Sequence, residues 1–192
     1  MNKEKYVFAQ LISFQNEAKF RRIVDKYQGN RYVKHFTCWN QLLALMLGQL
    51  SNSESLRDLI VALDAHHSKC YHLGIGKNVS KSSLARANQD RDYRIFEEYA
   101  YYLVNEAREK RATNIFKLGG SVYAFDSTTL CTYCSVAIVQ HDMQLDRSTY
   151  EVLQVLSISL TDKTNLRNLF NKTKFQDDKE RFGLNEPRLF NF

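Results

Sequence analysis

A chain of 192 residues that is 44% hydrophobic and 25% charged can build one ordinary core, and its single proline excludes collagenous and proline-rich classes. The longest apolar run, Leu42 to Leu47 with Leu50 close behind, falls far short of the ~18 residues that span a bilayer. The formal net charge of +6 is uneven: residues 1–125 hold 19 Lys and Arg against 12 Asp and Glu, whereas residues 126–192 hold 8 against 9.

The start, polar over Met1 to Lys5 and then Tyr6-Val7-Phe8-Ala9-Gln10, has neither the apolar segment nor the cleavage site of a secretory signal. A cytoplasmic protein with reduced thiols is expected. The first amphipathic helix is predicted over Glu17 to Tyr27, where Phe20, Ile23, Val24 and Tyr27 repeat at helical spacing and Gly29 follows as a C-terminal cap. Thr37 caps a strongly apolar second helix, Cys38 to Leu50, expected at the buried centre. Ser51-Asn52-Ser53-Glu54 fits a capping box opening a third helix through Leu56, Leu59, Ile60 and Leu63, which ends near Ala65.

A polar connection from His66 to Val79 leads to a short helix, Ser80 to Asn88. It is too long for a strict helix-turn-helix. A longer helix is predicted over Asp92 to Arg111, with Ile95, Phe96, Tyr99, Tyr102 and Leu103 inward. Gly119-Gly120 breaks that pattern, and Val122-Tyr123-Ala124-Phe125 has the composition of a strand ending in Asp126 and a Ser127-Thr128-Thr129 turn. Helix resumes over Cys131 to Gln140, and a second capping box, Ser148-Thr149-Tyr150-Glu151, precedes Val152, Val155, Leu156 and Leu160. Thr164 is placed to cap a last short helix containing Leu166, Leu169 and Phe170, and Lys172 to Phe192 has little periodicity.

The positive first two thirds invites an anionic partner, above all nucleic acid, although a basic surface that is merely solvated accounts equally well for composition alone. The densest basic stretch contains Lys77, Lys81, Arg86, Arg91 and Arg94, opposed only by Asp90 and Asp92. On the Ser80–Asn88 helix, Lys81, Ser82, Arg86 and Asn88 surround the small apolar set Leu84, Ala85 and Ala87, so one face can pack while the other is offered. Arg reads guanine edges bidentately, Asn reads adenine, and Ser hydroxyls at a helix start suit phosphate oxygens. A solvated helix face is the alternative.

Metal chemistry has weaker footing. His66, His67 and His72 cluster with Cys70, but their spacing matches no closed site. Cys131 and Cys134 have the C-x-x-C spacing, with His141 a conceivable third ligand, yet no second pair follows and structural thiols are expected. Asp126 at a strand end can hold a divalent cation for phosphodiester chemistry, but a two-ion site needs several carboxylates, and a strand-end Asp capping a turn is the competing reading.

Taken together, Phe36-Thr37-Cys38-Trp39-Asn40-Gln41, Leu84-Ala85-Arg86-Ala87-Asn88, Ile95-Phe96-Glu97-Glu98 and Tyr123-Ala124-Phe125-Asp126-Ser127-Thr128-Thr129 resemble bacterial insertion-sequence transposases of the IS-four-type group of the DDE superfamily. Residues 1–129 look like that family's N-terminal domain with the first strand of its RNase H-like catalytic domain. From about Cys131, Thr132 to Val139 and Arg147 to Gln154 resemble the extreme C-terminal region. The resemblance implies a chain internally deleted and joined near Thr129 to Cys131, because the second catalytic Asp and the catalytic Glu have no matching position. Only Asp126 carries over, as the first metal ligand of an incomplete, weak site. Magnesium is implied for the intact family, and no cofactor is expected in this chain.

The expected fold is mainly α. It comprises a helical DNA-binding domain over residues 1–118, a remnant strand of the RNase H-like domain within 119–130, and a helical C-terminal piece over 131–192. Expected partners are double-stranded DNA, in particular transposon terminal inverted repeats, with a homodimer or an intact transposase as protein partner and no membrane. The DNA contacts are assigned to Lys77, Lys81, Ser82, Arg86, Asn88, Arg91 and Arg94, which would place the protein with the nucleoid. Two rival readings are a metal-dependent transposase or nuclease active only with partner chains, and an inert structural remnant.

Overall fold

The computed structural model describes residues 5–53, 55–76, 79–110 and 127–172. In chain order its helices are α1 (Val7–Ile12), α2 (Glu17–Lys26), α3 (Cys38–Leu50), α4 (Leu56–Ala65), α5 (His67–Cys70), α6 (Lys81–Asp90), α7 (Arg94–Lys110), α8 (Ser127–Asp142), α9 (Thr149–Ser159) and α10 (Leu166–Lys172). The architecture is mainly α, with no strand among the described residues. The strand predicted over Val122 to Phe125 lies outside them, as does Asp126.

Helices α3 and α8 form the centre. Thr37 opens α3 with a complete capping box, its hydroxyl accepting from the Asn40 amide at 3.2 Å while Asn40 Oδ1 accepts from the Thr37 amide at 3.0 Å. Beyond the cap, Leu42, Leu43, Ala44 and Met46 are fully buried. Helix α8 buries residues around its whole circumference, from Thr128 to Val139. Its polar members are satisfied locally: Thr132 Oγ1 donates to the Thr128 carbonyl at 2.8 Å and Ser135 Oγ to the Cys131 carbonyl at 2.6 Å. This back-bonding lets hydroxyls occupy a core without an orphaned donor.

Helices α7 and α8 run parallel. At one end Lys110 Nζ meets Asp142 Oδ2 at 2.5 Å, and at the other Phe96 and Tyr93 share a groove with Ser127 and Thr128. Lys110 and Ser127, which residues 111–126 join, therefore lie at opposite ends of the pair. Hydrophobic residues from α1 through α10 contribute to one continuous cluster. Burying each large aliphatic side chain in it contributes about 1.5–3 kcal/mol.

Several details depart from the sequence expectations. Helix α1 had no periodic signal, yet Val7, Phe8 and Leu11 are fully buried. It docks on the distant end of the chain, with the Val7 amide donating to the Asp162 carbonyl at 2.9 Å and the Phe8 amide to Leu160 at 3.1 Å. Gln10 extends the clasp: Nε2 donates to the Thr164 carbonyl at 2.7 Å, and Oε1 accepts from the Leu166 amide at 2.8 Å. At the start of α10, Asn165 Oδ1 accepts from the Arg167 amide at 3.0 Å, the capping position expected for Thr164.

Ser51 ends α3 instead of opening α4. Asn52 takes a left-handed φ of 54°, the Ser53 amide returns to the Gly48 carbonyl at 2.9 Å, and the N-cap of α4 is Ser55. After α2 the left-handed residue is Gln28, with φ 53°, and not Gly29. Gly29 answers a different need, because a Cβ there would stand 2.4 Å from Ile95 Cδ1 and 2.8 Å from Cys38 Sγ. Lastly, α8 begins at Ser127, so Ser127 to Thr129 are helical instead of forming a turn, and the inferred junction near Thr129 to Cys131 falls inside one unbroken helix.

Candidate nucleic-acid interface

Helix α6 is anchored by a few small contacts and otherwise open. Leu84 and Ala87 are buried, whereas Lys81, Ser82, Ser83, Ala85, Arg86, Asn88, Gln89 and Asp90 are exposed. Ser80 caps its start by accepting from the Ser83 amide at 3.2 Å. Its hydroxyl also lies 3.0 Å from Ser82 Oγ and 2.8 Å from Ser83 Oγ, so three serine hydroxyls gather where the helix dipole is positive. Lys81 adds a full charge at that end, and Arg86 stands further along the open surface.

The seven predicted DNA-contacting residues do not share one environment. Lys81, Ser82 and Arg86 occupy the open surface of α6, and Lys77 lies outside the described residues. Asn88, at the far end of the helix, accepts from Gln41 Nε2 of α3 through its Oδ1. Arg91 is half-buried and committed to the protein. Its Nη1 donates to the Thr37 carbonyl at 3.0 Å and to Gln41 Oε1 at 2.6 Å, while Nη2 donates to the Phe36 carbonyl. Burial lowers the Arg91 pKa from its ordinary value, but a guanidinium stays charged, and the three acceptors compensate for lost water.

Arg94 is exposed and chelates Asp92: its Nε lies 3.0 Å from Oδ1 and its Nη2 2.5 Å from Oδ2. The same guanidinium sits 4.9 Å from the Tyr27 ring centroid. The hydrogen bond to Asp92 raises the Arg94 pKa and lowers that of Asp92. Nearby, Lys26 Nζ meets Glu98 Oε2 at 2.7 Å, and Tyr27 donates to the same oxygen at 3.0 Å. That contact raises Lys26 and lowers Glu98 from their ordinary values.

Arg91 and Arg94 thus join four helix ends: the end of α2, the start of α3, the end of α6 and the start of α7. Sequence reasoning missed the segment that projects from this junction, the α2–α3 loop. A usable signal was present, since no Asp or Glu occurs from Lys26 through Ser53 and aromatic residues alternate with Lys26, Arg31 and Lys34.

Between α3, α4 and α6 lies a groove of about 660 Å³, lined on one side by Gln41, Leu45 and Gly48 and on the other by Leu56 and Leu59, with Ala87 and Phe96 at its end. It has no convergent charged set. The other constellations noted in the sequence are likewise internal or dispersed. All four cysteines are buried free thiols, and Cys70 Sγ lies 3.5 Å from the His66 carbonyl. Among the described residues no group of three His, Cys, Asp or Glu side chains could hold a metal ion. Downstream of Asp126, Asp142 pairs with Lys110, and Glu151 closes the capping box of Ser148, so these two acids do not converge.

A family model described as a domain of unknown function (DUF4372) matches residues 3–76. That domain is found in transposase-like proteins. The match covers α1 to α5 and includes the α2–α3 loop, but ends before α6. No curated protein and no solved structure matches the chain. No described helix is long and apolar enough to cross a membrane.

Proposed function

We propose that this protein binds duplex DNA through the basic end of its helical bundle, as a transposase-related chain that does not cut or join DNA by itself. The observation that carries the reading is the open face of α6, where Lys81, Ser82 and Arg86 are exposed on a helix fixed from beneath by Leu84 and Ala87. A rigid helix with this composition can contact phosphates through Lys81 and Ser82 while Arg86 reaches a base edge. The resemblance to insertion-sequence transposases makes terminal inverted repeats the preferred target. Bound there, the chain would compete with an intact transposase for the same ends.

Magnesium, which the resemblance implies for intact relatives, does not fit the donors described here. Asp126 is the sole carried-over catalytic acid, and the dispersed Asp142 and Glu151 supply no second or third ligand. No catalytic step is assigned to this chain.

Fluorescence anisotropy with labelled duplex tests the proposal. If Lys81 and Arg94 each neutralise a phosphate, they contribute about −1.8 to the slope of log K against log salt, from roughly −0.9 per contact. Asp126→Ala leaves that affinity unchanged, and duplex carrying the inverted repeats stays intact in magnesium or manganese. No binding to any duplex at low salt returns the α6 surface to simple solvation and defeats the proposal.

A further inference from the structure

We propose that the α2–α3 loop, from Gln28 to Phe36, is a second DNA-contacting element, in which Arg31, Tyr32 and Lys34 hold the phosphate backbone beside the α6 face. The inference rests on the DNA-binding reading above and adds a surface that reading does not use.

Tyr32 stands at 87% exposure, the largest value among the described large hydrophobic residues. Its φ is 61°, in the left-handed region that disfavours residues carrying a Cβ by roughly 1–2 kcal/mol. Neither condition helps the fold, since the ring covers no core and the backbone is strained. The loop holds this conformation because its base is pinned. Asn30 Oδ1 accepts from the Cys38 amide at 2.8 Å, Gly29 packs against Ile95 and Cys38, and the Arg31 and Val33 amides return to the Gln28 and Asn30 carbonyls at 2.9 and 3.0 Å. Strain maintained around a solvent-facing side chain points to recognition.

The charges around the ring identify the partner's chemistry. Arg31 lies 5.0 Å from the Tyr32 ring centroid and donates through Nη2 to its hydroxyl at 3.1 Å and through Nη1 to Gln28 Oε1 at 3.2 Å. Neither acceptor neutralises it. Lys34 and His35 are exposed on the same loop, and its sequence contains no acid. The cluster suits a continuous polyanion, with Arg31 and Lys34 supplying charge and the Tyr32 hydroxyl a further donor, all contact types that proteins use on DNA phosphates.

Position favours the same duplex that α6 would bind. Arg91, at the end of α6, grips the Phe36 and Thr37 carbonyls at the end of the loop, while Arg94 covers Tyr27 just before its beginning. One duplex laid along α6 can therefore meet the loop where the two elements are tied together.

The test uses the full chain and the same labelled duplex. Arg31→Ala with Lys34→Ala should make the salt slope shallower by about 1.8, two contacts at roughly −0.9 each, and weaken low-salt binding on the order of tenfold. Tyr32→Asn keeps a residue that tolerates positive φ, so its melting temperature should be unchanged or higher while DNA affinity falls several-fold. Tyr32→Phe should retain part of that affinity. Wild-type binding with an unaltered slope in the double variant overturns the loop assignment and leaves the α6 reading standing. Absence of wild-type binding defeats both.

Discussion

Helices α6 and α8 both carry hydroxyl-bearing residues, yet the molecule uses them oppositely. Helix α6 exposes eight of its ten residues and is held by Leu84 and Ala87, whereas α8 buries nine of its sixteen. In α6 the Ser80, Ser82 and Ser83 hydroxyls gather at an exposed N-terminus; in α8, Thr132 and Ser135 turn theirs back to their own carbonyls. The contrast teaches that hydroxyl content alone does not separate a binding helix from a core helix. Charge does, because α8 has no acid or base before His141, while α6 carries Lys81 and Arg86.

The largest expected effect lies in α8. Ile138→Ala should lower unfolding free energy by about 2–5 kcal/mol, from lost transfer energy and the cavity left behind. Lys81→Ala on α6 should change it by no more than about 0.5 kcal/mol while weakening DNA binding. Urea titrations of the two variants compare them directly, and equal destabilisation would break the distinction between the helices.

Arg91 sharpens the boundary, since it follows α6 but belongs energetically to the core. Arg91→Ala removes donors from three acceptors and should cost about 1.5–3 kcal/mol of stability. Arg86→Ala should leave stability nearly unchanged and reduce discrimination between the preferred end and random duplex by about 1–3 kcal/mol. If Arg91→Ala folds with wild-type stability, the contacts to Phe36, Thr37 and Gln41 are not the anchor described.

Below the losses expected for Ile138→Ala and Arg91→Ala comes a pH effect in thiol chemistry. Burial pushes the Cys134 thiol up to about 12 and also raises Cys38 and Cys70 above their ordinary value. Unfolded thiols ionise near 9.0 while the native Cys134 holds its proton, so this contribution to stability is present below pH 9 and lost as pH rises from there towards about 12. Each pH unit in that window removes up to about 1.4 kcal/mol per such thiol. The urea midpoint should therefore fall between pH 8 and pH 10. Iodoacetamide should label native Cys134 only on unfolding, whereas a thiol introduced by Ser82→Cys on α6 should react in the folded protein. Rapid labelling of native Cys134 would show that α8 is open.

Much of this arrangement is visible in the amino acids. Helical spacing identified α2, α3, α6, α7 and α9, and the Thr37 and Ser148 caps occur at the expected positions. Helix α1 escaped because six residues scarcely repeat a helical period, and its burial depends on residues 160–166. The cap of α4 was misplaced because Ser51 and Ser55 are both good candidates, and only the left-handed turn at Asn52 shows which helix each serves. At the candidate interface, composition selected α6 but could not place Arg91, whose acceptors lie 50 to 55 positions away in the chain. The α2–α3 loop was overlooked because its acid-free stretch has no periodicity, although the absence of acids was itself readable.

The Gln10 clasp has a consequence for the order of folding. Helix α1 is made well before its partners, because its Val7 and Phe8 amides and the Gln10 side chain find them only in residues 160–166. Contacts so distant in sequence are slow to form, and the partners must first emerge from the ribosome. Until then Val7, Phe8 and Leu11 lack part of their packing, so this part of the core closes only after residues 160–166 have been made.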